Sequence, residues 1–524
     1  MKASLIDSLD WLYTDSEITA APITTYECDV PLGGIADVNL LITETANAPF
    51  SITTDANEGL LYRYHDVPVE KNTGIRGFTE KEGEINEYVT RRAPFRVFEA
   101  LEPVPFGVFK PREGANAFRF SIKIPEGRTT PLKKISITVK QGEETVNLTF
   151  NVVIHNVKLR PTGKGCRKYT NWIRYDLIAS RHNVKPWSEE HFAMIGEYAK
   201  MMAHGRQNTF LIPLGIIFSV EDGKPKLNLE RLERLVKIFT DAGLYYIEGG
   251  HFGGTTTGKW DSPTYSTQII RELATSPEGC NVIAQICRQL MDAIHKNGWE
   301  DRWIQHIADE PTSANASDYR IFSGIVHRYM PGIPQLDATQ NTCLVGSVDN
   351  WCPLVHEYEQ EKAAYDTAKN VRGDGVWFYV CCFPCGKFMN RCLDNELLRP
   401  LLLPWGGALY RLDGFLHWAL NAYRDWQDPF QMSVIDNYKG GSNSLPAGDT
   451  HIIYPGDKGP WSGARFEAMR HGFEDWELLE DLFAVNKEKA EEIIRKIVRG
   501  FSDYTTDITL YRKTRKELLE VMSK

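Results

Sequence analysis

Two adjacent carboxylates, Asp309 and Glu310, are the residues of this sequence best suited to acid/base chemistry. They follow the short apolar run 303–308, and Pro311 comes directly after them. Such a run predicts a buried strand, and proline ends a strand because it lacks a backbone N–H donor. We therefore predict that both carboxylates lie at the C-terminal end of a strand, where they could exchange protons with a substrate. The alternative is an acidic pair that caps the next helix.

The elements that would position this pair are strands and helices in alternation. Eight strand-like apolar runs lie at 169–173, 209–215, 245–249, 303–308, 335–340, 348–353, 376–382 and 414–420. Helical stripes separate or follow them, as in Phe192/Ile195/Ala199/Met202, Ile283/Ile286/Leu290/Ile294 and Phe466/Met469/Phe473/Trp476. Gly298 follows the second stripe, where a glycine that ends a helix is expected. This alternation predicts a (β/α)8 TIM-type barrel over residues 161–524, including C-terminal helices.

The preceding residues, 1–160, have a different pattern. Apolar residues alternate with polar ones between about residues 36 and 158, as in Phe118/Phe120/Ile122/Ile124 and Val146/Leu148/Phe150/Val152/Ile154. A period of two predicts half-buried strands, and turn-rich stretches such as 141–144 separate them at short intervals. We predict an N-terminal antiparallel β-sandwich, so that the chain as a whole is of the α/β class with two domains.

The C-terminal ends of barrel strands converge on one mouth. The side chains expected there are aromatic rings, amides, carboxylates and one histidine: Asn171, Trp172, Glu248, His251, Asp309, Glu310, Gln340, Asn341, Trp351, Trp377, Tyr379, Trp418 and Asn421. A sugar needs such a mixture, since it offers an apolar face for stacking and a rim of hydroxyls for hydrogen bonds. Each aromatic residue taken alone fits a core position better than a ligand-binding position, so the prediction depends on their accumulation. His306 and His417 lie within apolar runs and are interpreted as hydrogen-bonded core histidines.

Composition excludes several classes of function. The 524 residues carry a net charge of -9, which argues against a nucleic-acid partner. The hydrophobic content of 42% is ordinary for a globular protein. We find no apolar stretch long enough to span a membrane and no export signal at the N-terminus, so we expect no membrane partner and either a cytoplasmic protein or an exported chain already trimmed. The sequence does not specify an oligomeric state.

Two further motifs could be mistaken for ligand sites. The glycine-rich loop 249–254 lacks the lysine and the helix of a phosphate-binding loop. Four cysteines crowd one loop (Cys381, Cys382, Cys385 and Cys392), but no second pair with metal-ligand spacing follows. We therefore expect free or locally bridged thiols, no metal and no cofactor.

Several longer motifs resemble one known family, glycoside hydrolase family 123 with its DUF4091 relatives, whose studied members are β-N-acetylgalactosaminidases. The resemblance spans most of the chain and rests on Asp309-Glu310-Pro311 and on segments 377–382, 414–421, 448–449, 454–456, 465–467 and 470–479. It implies an N-terminal β-sandwich followed by a (β/α)8 catalytic barrel. The implied substrate is a glycan with a terminal amino sugar.

The resemblance also implies substrate-assisted catalysis, in which the 2-acetamido oxygen of the sugar attacks its own anomeric carbon to form an oxazoline. Asp309 would hold the acetamido N–H, and Glu310 would act as general acid and base. The candidate substrate-binding residues, taken from the strand ends and the shared motifs, are Asn171, Trp172, His251, Asn341, Trp351, Trp377, Tyr379, Trp418, Asn421 and Asp449. Tyr379 is the candidate for the acetamido carbonyl because its hydroxyl is expected at a strand end and can donate. The alternatives are a glycosidase acting on another sugar and a carbohydrate-binding or structural barrel without catalysis.

Overall fold

The computed structural model describes residues 1–128, 130–436 and 443–524. Ten strands occupy the first 160 residues: β1 (Lys2–Ile6), β2 (Thr25–Leu32), β3 (Ile35–Thr43), β4 (Phe50–Thr54), β5 (Leu60–Val69), β6 (Phe95–Val104), β7 (Gly107–Phe109), β8 (Asn116–Lys123), β9 (Leu132–Gln141) and β10 (Glu144–Lys158). They form two sheets, and the alternating apolar residues from both fill one shared core that includes Val38, Phe120 and Phe150. The predicted N-terminal antiparallel sheet is therefore confirmed.

One pairing in these sheets differs from the prediction. Strand β2 runs parallel to β10, with Thr25 opposite Thr149, whereas the alternation of apolar residues had suggested antiparallel strands throughout. The alternation of apolar residues indicates which face of a strand is buried but does not indicate the direction of the neighbouring strand.

The later strands are β11 (Lys168–Asn171), β12 (Thr209–Ile212), β13 (Phe218–Glu221), β14 (Lys224–Leu227), β15 (Tyr246–Gly249), β16 (Gly253–Thr255), β17 (Tyr265–Thr267), β18 (Trp303–Gln305), β19 (Leu336–Thr339), β20 (Asn350–Pro353), β21 (Gly375–Tyr379), β22 (Gly414–His417), β23 (Ile435–Asp436), β24 (Ser444–Leu445), β25 (Tyr454–Gly456), β26 (Gly459–Gly463), β27 (Val498–Gly500) and β28 (Asp503–Tyr504). Each of the eight predicted apolar runs overlaps one of these strands. Hairpin β25–β26 crosses the predicted domain boundary, because β26 pairs with β6 and extends the larger N-terminal sheet.

The eight strands in those runs pair in parallel. One sheet has the order β11-β22-β21-β20-β19 and the other β12-β15-β18. A parallel bridge between Gln305 and Gln335 joins β18 to the residue before β19. At the other side, the backbone N–H of Asn208 donates to the carbonyl of Tyr169 in β11 over 3.3 Å, just before β12 begins.

The helices are α1 (Tyr175–Arg181), α2 (Glu189–His204), α3 (Leu214–Ile217), α4 (Leu229–Asp241), α5 (Pro277–Asn297), α6 (Ala316–Tyr329), α7 (Val355–Gln360), α8 (Lys362–Thr367), α9 (Leu398–Leu409), α10 (Ala464–Val485), α11 (Lys487–Arg495) and α12 (Ile508–Met522), with a π-helical turn at Ala368–Arg372. The three predicted stripes lie on α2, α5 and α10 and are buried. Gly298 ends α5 in the left-handed conformation at φ 64°, as predicted. Among the described residues, no helix is both long and apolar enough to cross a membrane.

Helix α10 joins the two parts of the molecule through buried charges. Asp37 of β3 accepts from Arg470 (2.8 Å) and pairs with Arg119 (2.9 Å) and His471 (2.6 Å). Burial opposes ionisation, but both arginines hold the pKa of Asp37 well below its usual value. Gly472 is small because a Cβ there would lie 2.1 Å from the carbonyl oxygen of Leu401. Arg470 and His471 of motif 470–479 therefore hold α10 against β3 of the N-terminal sheet, and Gly472 lets α10 pack closely on α9.

Candidate active site

A cavity of about 500 Å³ opens at the C-terminal ends of the parallel strands. Seven of the residues predicted from the sequence line it: Trp172, Asp309, Glu310, Gln340, Tyr379, Trp418 and Asp449. They come from six separate stretches of the chain, as expected where parallel strands end at a common edge. Carboxylates and aromatic rings thus share one open space of the size that holds a small ligand.

The carboxylate pair lies in the loop after β18, which ends at Gln305, earlier than the predicted strand end. Glu310 has a backbone φ of 45°, in the left-handed region. A residue with a Cβ atom adopts that conformation at a cost of about 1–2 kcal/mol, which the surrounding contacts must offset. This turn lets two consecutive residues both reach the cavity.

Glu310 is held by two donors from neighbouring strand ends. The hydroxyl of Tyr379 donates to Oε1, and Nε2 of Gln340 donates to Oε2 over 3.3 Å. Burial and the charge of Glu310 raise the pKa of Tyr379 well above its usual value, so that its hydroxyl keeps its proton and donates. In this state the Tyr379 hydroxyl is engaged by Glu310 rather than waiting for a substrate carbonyl.

A further acid approaches Glu310 from α7. Burial, and then the charge of Glu310, raise the pKa of Glu357 to about 8. Glu357 is therefore mainly uncharged at neutral pH. No sequence pattern marks this residue, because a glutamate on a short helix is indistinguishable in sequence from a solvated side chain.

Asp449 is the third carboxyl of the cavity and is 1% exposed. Within the described chain, neither of its oxygens makes a hydrogen bond of ordinary distance and angle; the Trp418 indole N–H is directed at the carboxyl without reaching that geometry, and Oδ1 lies 3.6 Å from Nε2 of His417. Burial raises its pKa to about 7, although Arg391 and the Trp418 indole act in the opposite direction. A buried carboxyl without a partner is costly, so a ligand hydroxyl would satisfy it.

The cavity walls include residues that the sequence analysis missed, notably Phe78, Trp260, Cys381, Cys382 and Phe383. Phe78 belongs to a loop between β5 and β6, in the N-terminal part of the chain. Its backbone N–H donates to the carbonyl of Cys382 over 3.0 Å, and its ring meets Phe383 edge to face at 4.9 Å. No periodicity marks this loop, so only the tertiary structure brings it to the site.

Two of the predicted sugar-stacking residues are corrected by the structure. Trp377 is fully buried among Ile304, Leu336 and Leu416, and Trp351 is buried with its indole N–H donating to Asp374 over 2.9 Å. Neither lines the cavity. Successive side chains of a strand point to opposite faces, so some aromatic residues lie in the packed interior. The sequence alone did not specify which residues of these strands face the interior and which face the cavity.

Two predicted amides hold other residues instead of facing the cavity. Asn171 is buried; its oxygen accepts from Arg391 over 2.7 Å and its amide donates to Tyr169 over 2.8 Å. Asn421 pairs with the backbone of Arg174, accepting over 2.9 Å and donating over 3.2 Å. Both residues lie near strand ends, as predicted, but they hold neighbouring residues in place instead of facing the cavity. Asn421 fixes the backbone of Arg174, which lines the cavity.

The last two predicted residues also lie outside the cavity lining. Asn341 accepts from the backbone N–H of Cys343 over 3.0 Å and shapes its own loop. His251 stacks against Trp172 edge to face at 5.3 Å and lies 4.6 Å from the ring of His306. Burial and the charge of His306 lower the pKa of His251.

One group in the described part of the chain has the spacing of metal ligands: His251, His306 and Asp337, whose ligand atoms lie within 4.8 Å of one another. The donors of His306 and Asp337 are already engaged, whereas Nε2 of His251 has no hydrogen-bond partner in the described chain and lies 3.8 Å from Oδ1 of Asp337. Both ring nitrogens of His306 contact carboxylates, and Asp337 accepts from two backbone N–H groups and a tyrosine hydroxyl. A metal would have to displace these bonds, so the donor set fits a proton-bearing network better than a metal site. The ten cysteines are free thiols; Sγ of Cys381 and Sγ of Cys382 are 4.0 Å apart.

Comparisons with known proteins place the chain in a family. Residues 172–482, more than half of the sequence, match the catalytic domain of glycoside hydrolase 123. A family 123 glycoside hydrolase from Clostridium perfringens, described in terms of glycolipid glycan hydrolysis, shares the fold with a TM-score of 0.72 at 12% identity, covering 100% of this chain and 97% of that one. The endo-β-1,4-mannanase of Thermotoga petrophila gives a TM-score of 0.36 at 10% identity over 60% of this chain and 77% of that one, too low to carry an argument. No curated protein matches the sequence.

The family match covers both carboxylates, their loop and the cavity walls contributed by residues 172–449. It agrees with the open cavity that holds acids beside aromatic rings. The chain belongs to glycoside hydrolase family 123 and is a glycoside hydrolase.

Proposed function

We propose that the protein is a retaining exo-glycosidase that removes terminal β-linked N-acetylgalactosamine by substrate-assisted catalysis. The observation that carries this proposal is that two consecutive carboxylates, Asp309 and Glu310, line the same cavity. A double-displacement enzyme needs two carboxyl groups on opposite sides of the bond, about 5 Å apart. Neighbouring residues are poorly arranged for that task, whereas they are well arranged to serve the acetamide and the leaving group.

Glu310 is the proposed general acid and base. Its contacts with Tyr379 and Gln340 orient the carboxyl group, and the turn at φ 45° aims it into the cavity. It would protonate the leaving oxygen as the sugar's own acetamido oxygen attacks the anomeric carbon. It would then take a proton from the water that opens the oxazoline.

Asp309 is the proposed partner of the acetamido N–H. A carboxylate that accepts this hydrogen bond increases the electron density on the attacking carbonyl oxygen and offsets the positive charge that develops in the transition state. Tyr379 is the proposed donor to the acetamido carbonyl, because its hydroxyl lies at a strand end; in that role the hydroxyl turns from Glu310 to the carbonyl when the sugar binds, before the attack on the anomeric carbon.

Sugar recognition is assigned to Trp172, Trp418 and Asp449. The indole rings offer apolar faces to the pyranose, and Asp449 offers two unpartnered acceptor atoms within the described chain. His417 supports this assignment. Its Nδ1 accepts from Arg391 (2.6 Å) and from the backbone of Ala419 (3.1 Å), so its proton lies on Nε2, which faces Asp449. Together they offer a donor and an acceptor to a sugar hydroxyl.

We further infer that the eight parallel strands close into a (β/α)8 barrel. The protein would then have two domains, the β-sandwich of residues 1–160 and the barrel of residues 161–524. The bridge between Gln305 and Gln335 and the bond from Asn208 to Tyr169 support closure at the two seams between the sheets. The site at the C-terminal strand ends agrees with the usual location in such barrels.

Hydrolysis of nitrophenyl glycosides tests the proposal. We expect release of nitrophenol from the β-N-acetylgalactosaminide, less from the β-N-acetylglucosaminide, and none from the β-galactoside, which lacks the attacking acetamide. Equal turnover of the plain galactoside would refute substrate assistance. Preference for the glucosaminide would keep the mechanism and change the sugar, and binding without turnover of all three would indicate a carbohydrate-binding protein.

A further inference from the structure

A buried histidine lies between two carboxylates directly beneath the candidate site. His306 Nδ1 is 2.9 Å from Oδ1 of Asp337, and its Nε2 is 2.6 Å from Oε1 of Glu248. All three side chains are 0% exposed. We call Glu248, His306 and Asp337 the buried triad.

One arm of the buried triad reaches the cavity wall. The indole N–H of Trp172 donates to Oε1 of Glu248 over 2.9 Å, and the hydroxyl of Thr170 donates to Oε2 over 2.8 Å. Since Trp172 lines the cavity, the position of its ring depends on Glu248. His306 shares the same Glu248 oxygen with that indole and meets the Trp172 ring edge to face at 5.5 Å.

The other arm reaches the loop that carries the catalytic pair. Asp337 accepts from the backbone N–H of Ile307 (3.1 Å to Oδ2) and of Ala308 (3.1 Å), the two residues before Asp309. The Tyr319 hydroxyl donates to the same carboxylate over 2.6 Å. This carboxylate therefore fixes the backbone from which Asp309 and Glu310 project.

The geometry of the buried triad fits an imidazole that carries two protons. Each ring nitrogen faces a carboxylate, and a neutral imidazole could donate to just one of them. Burial alone would lower the pKa of His306, but the hydrogen bonds and charges of Asp337 and Glu248 raise it to about 10. One positive and two negative charges leave the triad with a net negative charge under the sugar.

We propose that His306 is a positioning residue for glycoside hydrolysis: as an imidazolium bridging Glu248 and Asp337, it fixes the Trp172 wall and the Asp309 loop relative to each other, beneath a positively charged transition state. The inference rests on the proposed function. A protonated bridge keeps two buried carboxylates in place that would otherwise repel, and their excess negative charge favours an oxazolinium-like intermediate over the neutral substrate.

The test compares His306→Gln with His471→Gln. His471 is a suitable control because it is also buried against a carboxylate, Asp37, but at the contact between the domains. We expect His306→Gln to lower kcat on the nitrophenyl β-N-acetylgalactosaminide about 10- to 100-fold with little change in KM, the usual effect of a small misplacement of catalytic groups. His471→Gln should lower the melting temperature by a similar amount to His306→Gln. Its kcat should stay within about twofold of wild type, since substitutions far from the site act on stability.

A second measurement separates positioning from packing. A thiazoline analogue of the sugar mimics the oxazoline intermediate, so its dissociation constant should rise in His306→Gln by about the factor lost in kcat, while that of the free sugar stays nearly constant. If both constants rise equally, or if kcat is unchanged, the proposal is overturned. Should His306→Gln fail to fold, Tyr319→Phe removes only the 2.6 Å donor to Asp337 and should show the same pattern with a smaller, few-fold effect; an unchanged kcat would overturn the proposal. If the wild-type enzyme turns over none of the acetamido substrates, the proposed function itself fails.

Discussion

Asp449 offers a prediction in which stability and function change in opposite directions. The folded protein raises the pKa of this buried carboxyl from 3.8 to about 7. Below pH 3.8 the group is protonated in both folded and unfolded chains and has no effect. As the pH rises from 3.8 to 7, only the unfolded chain ionises, so folding stability falls. At about 1.4 kcal/mol per pKa unit, about three units amount to about 4 kcal/mol as an upper bound.

Asp449→Asn removes this penalty because the amide does not titrate. The variant should gain stability relative to wild type between pH 4.5 and pH 8 by at most about 3 kcal/mol, because about 1 kcal/mol of the penalty is already present at pH 4.5. The unpaired amide N–H of the variant costs about 1–3 kcal/mol. This cost is the same at pH 4.5 and at pH 8, so it does not change the pH dependence of the stability difference between variant and wild type. Activity should fall, because a charged acceptor of sugar hydroxyls is worth about 1.5–3 kcal/mol, or about 10- to 150-fold in kcat/KM.

The assay is the midpoint of urea unfolding at pH 4.5 and pH 8, together with kcat/KM on the β-N-acetylgalactosaminide. Asp222→Asn is the control, since Asp222 is exposed in a turn and its substitution should leave both quantities unchanged. A difference between Asp449→Asn and wild type that does not grow with pH would refute the assignment of a raised pKa. Unchanged kcat/KM would refute hydroxyl recognition by Asp449.

Three further predictions follow from the site. Glu310→Gln should lose most activity on substrates with poor leaving groups but less on nitrophenyl substrates that need no proton, whereas Asp309→Asn should lose activity on both; equal, small losses would contradict the two roles. Because the pKa of His306 is raised to about 10, its stabilisation is complete below pH 6.5 and is lost as the pH rises to about 10, so wild type should lose more melting temperature than His306→Gln over that interval. Phe78→Ala opens the wall formed with Phe383 and should raise KM at least several-fold with a smaller change in kcat, as measured by initial rates; an unchanged KM would exclude Phe78 from substrate contact.

Local patterns determined the elements of this protein and the position of its carboxylate pair. Each predicted apolar run overlaps a strand, and the three stripes lie on buried helix faces, because burial of one face imposes a fixed period on a sequence. Asp309 and Glu310 follow β18 and line the cavity, since a strand end and the loop after it are adjacent in the chain.

The tertiary structure decided which of the predicted residues line the cavity and what supports them. Trp377 and Trp172 both lie near strand ends, yet one is packed inside and the other lines the cavity, a difference set by the registers of neighbouring strands. Phe78 reaches the site from the N-terminal part of the chain, and β26 crosses back to the N-terminal sheet. His306 had the pattern of a core histidine, and its two carboxylate partners lie 58 and 31 residues away. Contacts between residues so distant in sequence depend on how whole elements pack, and no local period encodes them.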